Sequence, residues 1–121
     1  MELGYARTAL RRQLVDAVLR GEKTATASLL TDYEPHTPER LPRVGEQFAL
    51  VDFDGEPVAV VETTELRIVR AGDIDLAFAR DEGEGFESVD DWRLAHEEFF
   101  QQPILPDTQI VATRFTLVER L

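Results

Sequence analysis

The feature of this sequence that most constrains its fold is the pair Asp54-Gly55, which lies between two runs rich in β-forming residues. The first run covers residues 47–53. The second covers residues 57–69 and is long enough for one strand or for a bent pair of strands. Asp-Gly favours the tight turns that join antiparallel strands. These residues therefore predict a hairpin in the middle of the chain and a sheet that is antiparallel at least in part.

The residues before this hairpin predict one helix, one strand and one loop. Apolar residues recur at helical spacing over residues 8–20, and Gly21 is a typical residue at which a helix ends. Residues 24–30 alternate as a strand does, with small polar and apolar side chains in turn. Residues 31–46 contain three prolines and no periodicity, which indicates a loop.

The residues after the hairpin predict two more helices and a last strand. Asp73 is a suitable N-cap for a short helix that ends near residues 82–85. Ser88 is a suitable N-cap for a second helix, with Asp91 three residues later as its capping-box partner. Residues 109–119 alternate clearly between apolar and polar side chains, which predicts a strand.

The order of these elements predicts the fold class. The chain contains about five predicted strands and three helices without strand–helix alternation, and its 121 residues include no repeat or linker. We predict one α+β domain over residues 1–121, a small mixed or antiparallel β-barrel flanked by about three helices. The chain has no apolar stretch long enough for a membrane span and no signal peptide. A cytoplasmic protein without membrane contact is therefore expected.

Charge and rare residue types limit the classes of ligand. The chain has 24 acidic and 13 basic residues, a net charge of −11, which argues against broad binding of a DNA duplex or another long nucleic acid. A small ligand or a short stretch of RNA is favoured instead. The chain has no cysteine and only two histidines, which excludes thiolate catalysis and a His-rich metal site. We expect no metal and no other cofactor.

The segment with the most chemical content is residues 21–26, where a helix that ends at glycine meets a strand. Lys23, the one lysine of the chain, lies there beside Thr24, Thr26 and Ser28, whose hydroxyls share one face of the strand. A partly buried lysine with a lowered pKa can take a proton from a hydroxyl or from water. In an extended chain Lys23 and Thr26 would point to opposite faces, so their pairing requires the turn to continue through Lys23. The simpler interpretation is an ordinary surface lysine.

Two other clusters each allow a functional and a structural interpretation. Residues 81–85 combine carboxylates with glycines, which suits a general acid or base, or a solvated acidic turn. They fit no metal-binding loop, and no histidine is near them in the sequence. Trp92 and His96 lie one helical turn apart, where they can stack on a nucleobase and bind its edge, or form part of a core stripe. His36, in the proline-rich loop, is expected to be exposed and idle.

Taken together, these segments resemble the ASCH domain family, within the PUA-like superfamily of small β-barrels. The resemblance extends from about residue 10 to about residue 118 and includes the stand-alone bacterial members of the family. It depends on the order and spacing of five segments: Gly-x-Lys-Thr-x-Thr-x-Ser at 21–28, Arg-Val-Gly-Glu at 43–46, Glu-Pro-Val-Ala-Val-Val at 56–61, Phe-Ala-x-x-Glu-Gly-Glu-Gly at 78–85, and Trp-Arg-x-x-His-x-x-Phe-Phe at 92–100.

The resemblance implies a PUA-like barrel with a cleft, between barrel and helices, that binds RNA or a nucleoside. A related small ASCH branch hydrolyses the acetyl amide of N4-acetylcytidine, and its catalytic residues correspond to Lys23, Thr26 and Glu82. Many ASCH sequences have arginine where this chain has Ser28, so its substrate need not be the same. The side chains expected to bind substrate are Thr24, Ser28, Arg43, Trp92 and His96.

Three functions follow from this resemblance. The first is an amidohydrolase of an acylated pyrimidine nucleoside, such as N4-acetylcytidine. The second is a non-catalytic module that binds short single-stranded RNA through a basic patch of Arg11, Arg12, Lys23 and Arg43. The third is a ribonuclease that uses Lys23 as its cation and Glu82 as its base.

Overall fold

Residues 3–121, described by a computed structural model, form one curled antiparallel sheet, a half-barrel, with three α-helices. The helices are α1 (Ala9–Leu19), α2 (Leu76–Asp81) and α3 (Val89–Phe100). The strands are β1 (Ala25–Leu29), β2 (Gln47–Val51), β3 (Pro57–Arg70) and β4 (Gln109–Arg120). Short 3-10 turns at Leu30–Asp32 and Ala71–Asp73 follow β1 and β3. The predicted α+β class with helices flanking an antiparallel sheet is confirmed.

The sheet has the strand order β1-β4-β3-β2, and each neighbouring pair is antiparallel. The hairpin predicted at Asp54-Gly55 is confirmed, since β2 pairs with β3 across that turn. The described residues contain four strands instead of about five, because β3 is one long strand. Its pairing with β4 shifts register at Val60/Val61 and between Thr63 and Glu65. Such bulges bend a strand and increase its twist, which explains how one strand follows the curled sheet.

The helix N-caps agree with the sequence prediction at one position and differ at another. Ser88 caps α3 as predicted, because its hydroxyl accepts from the Asp91 N–H at 3.0 Å. The Asp91 carboxylate in turn accepts from the N–H of Glu87, the residue before the cap. The prediction of Asp73 as a cap is wrong: Asp73 belongs to a 3-10 turn, and Asp75 caps α2. A second aspartate two residues later offers the same capping chemistry, so the sequence alone does not distinguish the two.

Two apolar clusters pack the helices against the sheet. One cluster joins β1 and β4 to α2 and α3, and its largest members are Trp92 and Phe78. The other joins α1 to strands β2, β3 and β4 through Val15, Val18, Leu50, Val61 and Phe115. Within residues 3–121, no helix has both the length and the apolar character that crossing a bilayer requires.

Candidate functional site

A cleft of about 1470 Å³ is lined by strands β1, β3 and β4, by α1 and α3, and by the loop that follows β1. Its polar lining includes all three residues for which the resemblance implies a catalytic role, Lys23, Thr26 and Glu82. His96 and Ser28, two of the predicted substrate-binding residues, also line this cleft. Lys23 and His96, which are 73 positions apart in the sequence, therefore line the same cleft.

Lys23 is buried at the junction between α1 and β1. The turn at the end of α1 continues through it, because the N–H groups of Glu22 and Lys23 both donate to the carbonyl of Ala17, at 2.9 and 3.1 Å. This is the condition under which Lys23 and Thr26 reach the same side of the chain, and both line the cleft. Lys23 is 2% exposed. The simpler interpretation of Lys23 as a surface lysine is therefore wrong.

The Lys23 amine has three oxygen neighbours. Nζ donates to the backbone carbonyls of Ala25 and Glu82, at 2.7 and 3.2 Å, and lies 3.9 Å from Oε1 of Glu82. Burial lowers the pKa of Lys23, and the negative charges of Glu82 and Glu84 oppose that effect without cancelling it. A neutral amine has two N–H groups and one lone pair. In that neutral form the two carbonyls would use both N–H groups and leave the lone pair to accept a proton.

The acidic turn after α2 packs directly on the backbone of Lys23. Gly83 has a φ of +72°, and a Cβ built on it would lie 2.8 Å from Cα and Cβ of Lys23. The N–H of Thr24 also donates to the carbonyl of Asp81, at 2.8 Å. Only glycine combines this left-handed conformation with so close an approach. The same contact places the Glu82 carboxylate beside the Lys23 amine.

Both carboxylate oxygens of Glu82 have partners on α3. Glu82 is 1% exposed; Nε1 of Trp92 donates to Oε2, and Nε2 of His96 lies 3.3 Å from Oε1. His96 Nδ1 lies 2.8 Å from the carbonyl oxygen of Trp92, which can only accept, so Nδ1 carries a proton. The two rings also stack, with centroids 4.4 Å apart. Trp92 and His96 together fix the position of the Glu82 carboxylate.

The charge of His96 depends on its acidic neighbours. Burial lowers the pKa of His96, but the hydrogen bond to Glu82, the charges of Glu82 and Glu84 and the Trp92 carbonyl together outweigh burial and raise it. Burial also raises the pKa of Glu84, and the charge of Lys23 partly offsets this. The folded protein therefore binds a proton at His96 more tightly than the unfolded chain does.

Replacing His96 with glutamine should remove a pH-dependent part of the stability. The stabilisation from protonated His96 is fully present below about pH 6.5, the ordinary histidine pKa, and is lost as the pH rises through the higher pKa of the folded state. Between pH 6 and 8.5 the free energy of unfolding should fall on the order of 1 kcal/mol further for the wild type than for His96→Gln. This difference lies within the range of a hydrogen bond to a charged group. Urea unfolding at several pH values measures the difference.

The other histidine provides the matched control for this experiment. His36 is exposed in the loop after β1, as the sequence predicted, so His36→Gln should follow the wild-type pH dependence. Lys23 is present in all three proteins, and its titration therefore cancels in the comparison. Parallel curves for wild type and His96→Gln would contradict the assigned role of His96.

Glu82, Glu84 and His96 present three potential metal-ligating atoms within 4.8 Å of one another. The acidic turn has no histidine near it in the sequence, but α3 folds back over the turn and brings His96 beside it. The donor set suits a divalent cation in type. In this arrangement, however, Oε2 of Glu82 already accepts a hydrogen bond from Trp92, and Oε1 lies 3.3 Å from Nε2 of His96 and 3.9 Å from the Lys23 amine. The Glu82 carboxylate is therefore already surrounded by side chains of the protein.

Several predicted binding residues lie elsewhere. Trp92 is 1% exposed and belongs to the core, so it is not available to stack on a ligand and holds Glu82 instead. Arg43 is exposed and does not line the cleft, whereas Arg40 of the same loop does. Thr24 is absent from the cleft lining, and its N–H serves the contact to Asp81. Ser28 lines the cleft, and its hydroxyl lies 2.7 Å from that of Tyr33.

The predicted basic patch is not present at the surface. Arg11 is buried and donates through its guanidinium to the carbonyls of Leu3 and Gly4. Lys23 is buried as well. Of the four predicted members, Arg12 and Arg43 remain exposed, and the Arg12 guanidinium lies 4.5 Å above the ring of Phe53. The acidic side chains lining the cleft outnumber the basic ones, Lys23 and Arg40; they are Asp32, Glu39, Glu82, Glu84 and Glu98.

Sequence reasoning gave no role to three polar residues of the cleft, Tyr33, Thr63 and Thr113. Thr113 pairs with Thr26 across β1 and β4, but the pairing of strands so distant in sequence is not visible in a periodicity. Thr63 is the first of two adjacent threonines in β3, and only the fold shows which of them is buried. Tyr33 lies in the loop after β1, where nothing in the sequence pattern singles it out.

Comparison with known proteins places this fold. A crystal structure of protein EF3133 from Enterococcus faecalis V583, of family DUF984, superposes with a TM-score of 0.86 at 28% identity, covering 98% of this chain and 75% of that one. The crystal structure of an ASCH domain from Lactobacillus crispatus JV V101 superposes with a TM-score of 0.77 at 31% identity, covering 88% of this chain and 70% of that one. No curated protein shows significant sequence similarity to the chain.

The family assignment follows from the sequence as well as from the structures. The sequence model of the ASCH domain matches residues 3–119, which is nearly the whole chain. ASCH domains have a PUA-like fold, and members of this family often bind RNA. This chain therefore belongs to the ASCH domain family, as both the match over residues 3–119 and the curled antiparallel sheet with three flanking helices indicate.

Proposed function

We propose that this protein is an amidohydrolase that removes the acyl group from an acylated pyrimidine nucleoside such as N4-acetylcytidine. One observation carries the proposal: Lys23, Thr26 and Glu82 line the same cleft, with the Lys23 amine 3.9 Å from a carboxylate oxygen of Glu82. A buried lysine with a lowered pKa beside a fixed carboxylate is an arrangement suited to proton transfer.

Lys23 acts as the base in the first step. Its neutral amine takes a proton from the Thr26 hydroxyl or from a water, and the resulting oxygen nucleophile attacks the acyl carbon of the amide. The lone pair is available because the two N–H groups of the amine donate to backbone carbonyls. When water is the nucleophile, the Thr26 hydroxyl donates to the oxyanion of the tetrahedral intermediate.

Glu82 carries the proton to the leaving group in the second step. The ammonium of Lys23 gives its proton to Glu82, and Glu82 gives it to the exocyclic nitrogen of the pyrimidine as the C–N bond breaks. With water as the nucleophile, the products are a carboxylic acid and the free nucleoside. With Thr26 as the nucleophile, the nucleoside leaves first, and a water then hydrolyses the acyl ester of Thr26 to release the carboxylic acid and restore the hydroxyl. Trp92 and protonated His96 hold the carboxylate in place during the transfer: Nε1 of Trp92 donates to Oε2, and Nε2 of the imidazolium, 3.3 Å away, donates to Oε1.

The charge of the cleft supports a neutral substrate. Acidic side chains predominate in its lining, and Arg40, one of its two basic residues, is paired with Glu46. A phosphate backbone would need free cations along its path. A free nucleoside carries no phosphate and meets no such requirement, so the proposed partner is a nucleoside rather than a long RNA.

Replacing Glu82 with glutamine should reduce the hydrolysis of N4-acetylcytidine by about 100-fold, the lower range for the loss of a general acid–base group. The purified protein is incubated with N4-acetylcytidine, and cytidine and acetate are quantified by chromatography. Glu87→Gln is the matched control, since Glu87 is exposed in the segment between α2 and α3 and does not line the cleft. This variant should keep wild-type turnover.

Three other outcomes would change the proposed function or its mechanism. If the wild type releases no acetate but binds short RNA at low salt, the protein is an RNA-binding module and the proposal is wrong. Cleavage of single-stranded RNA that disappears in Glu82→Gln would indicate a ribonuclease. Acetate release that is equal in wild type and Glu82→Gln would retain the activity but reject the mechanism.

A further inference from the structure

The hydroxyl of Thr63 is the feature of the cleft that the proposed mechanism leaves unused. Thr63 lies on β3, lines the cleft and is 1% exposed, and its Oγ1 has no hydrogen-bond partner among residues 3–121. Buried hydroxyls are nearly always partnered, because leaving one unpaired costs free energy. Because Thr63 lines the cleft, a ligand bound there can supply the missing partner of this hydroxyl.

The backbone holds Thr63 in one position. Its N–H donates to the carbonyl of Glu46 and its carbonyl accepts from Gly45, at 2.9 and 2.8 Å. The register shift of β3 falls directly after it, between Thr63 and Glu65. Bulges of this kind aim a side chain, and the branched Cβ of threonine leaves few rotamers. The backbone is therefore fixed, and the branched Cβ restricts the positions that the hydroxyl can take.

Packing does not require a hydroxyl at this position. Thr63 is the register partner of Phe115 on β4, and Phe115 belongs to the apolar cluster that also contains Val61. Valine has the shape of threonine without its polar atom and would suit these neighbours at least as well. The fold therefore bears the cost of the hydroxyl without using it.

The surroundings of Thr63 indicate the kind of group that meets it. Thr26 and Thr113, paired across β1 and β4, bring further hydroxyls to the same cleft. Hydroxyls are neutral and both donate and accept, so they can bind a carbonyl oxygen or a ring nitrogen. Of the two basic residues that line the cleft, Lys23 is already beside Glu82 and Arg40 is paired with Glu46, so neither is free for an anionic ligand.

We propose that Oγ1 of Thr63 is a substrate-binding group that hydrogen-bonds the polar edge of the pyrimidine ring. The identity of the ring depends on the proposed function, whereas the assignment of Thr63 to ligand binding comes from its buried and unpaired hydroxyl. A binding role and a structural role predict opposite effects on stability when the hydroxyl is removed, and this difference makes the inference testable.

The test is Thr63→Val, measured in two ways. Without ligand, its urea midpoint should equal or exceed that of the wild type, because an unpaired buried hydroxyl has been removed. The dissociation constant for N4-acetylcytidine, measured by equilibrium dialysis with Glu82→Gln in the background to prevent turnover, should rise about tenfold, as expected for one lost hydrogen bond. Thr64→Val is the matched control, since Thr64 is the adjacent residue of β3 and is exposed.

The variant Thr63→Ser retains the hydroxyl and should bind within about threefold of the wild type, with lower stability because a buried methyl group is lost. A lower urea midpoint for Thr63→Val would overturn the inference, because the hydroxyl would then have a partner within the fold. Equal binding by Thr63→Val and the parent protein would overturn it as well.

The two proposals fail in different ways. If N4-acetylcytidine binds without being hydrolysed by the wild type, and Thr63→Val weakens that binding, the inference stands and the amidohydrolase proposal falls. If it is hydrolysed with the same KM by wild type and Thr63→Val, the inference falls alone. If the protein neither binds nor hydrolyses N4-acetylcytidine or cytidine, both are wrong.

Discussion

Replacing Lys23 with methionine should reduce the turnover of N4-acetylcytidine by roughly 1000-fold or more, the upper range for the loss of a general base. Methionine is similar in length and apolar, and Lys23 is 2% exposed, so the substitution suits the buried position. The assay is the release of cytidine under saturating substrate, with circular dichroism to confirm that the variant is folded. Arg20→Met, on an exposed basic residue three positions earlier, should retain activity.

Lys23→Arg distinguishes the role of Lys23 as a base from its role as a positive charge. Arginine remains protonated in proteins, so it preserves a positive charge next to Glu82 but does not act as a base. We expect Lys23→Arg to be as inactive as Lys23→Met. Activity near the wild-type level in Lys23→Arg would show that the site needs a cation rather than a base, and the proposed first step would be wrong.

The pH dependence of the reaction provides an independent check on Lys23. Because burial lowers its pKa, the amine becomes neutral at a lower pH than an ordinary lysine does. The rate under saturating substrate should therefore rise with pH and level off below the usual lysine range. A rate that kept rising through the ordinary lysine pKa would contradict the assignment.

The sequence predicted the secondary structure well where local signals decide it. Asp54-Gly55 predicted the central hairpin, and Ser88 with Asp91 marked the start of α3; the structure confirms both. The sequence did not distinguish Asp75 from Asp73 as the α2 cap, and it left open whether residues 57–69 form one strand or a bent pair. In both cases neighbouring residues have equal local preferences, and tertiary packing decides between them.

The candidate site was predictable in its members but not in their arrangement. The resemblance selected Lys23, Thr26 and Glu82, and all three line the cleft. Spacing alone favoured a surface lysine at position 23, because burial depends on Gly83 of a turn 60 residues later. The contact of α3 with the acidic turn likewise turns Trp92 from an expected ligand platform into a hydrogen-bond donor to Glu82.

Because Gly83 packs so closely on Lys23, adding a single methyl group at position 83 should cause a large loss of stability. Gly83→Ala should lower the free energy of unfolding by about 2–5 kcal/mol: roughly 1–2 from the left-handed φ and roughly 1–3 from overpacking against the Lys23 backbone. Urea unfolding measures it. Gly85→Ala is the matched control, because Gly85 has a similar φ of +81° but no atom within 4 Å of an added Cβ.

Both variants carry the backbone strain of a left-handed alanine, so the difference in their stability measures the close contact of residue 83 with Lys23. Gly85→Ala should lose only the 1–2 kcal/mol or so that a left-handed alanine costs, and it should retain turnover. Gly83→Ala must separate the acidic turn from Lys23 to fit its methyl group, and even its folded fraction should have little activity because Glu82 moves with that turn. If the two variants were equally stable and equally active, the contact at Lys23 would not position Glu82. The catalytic pair would then have to be sought elsewhere in the cleft.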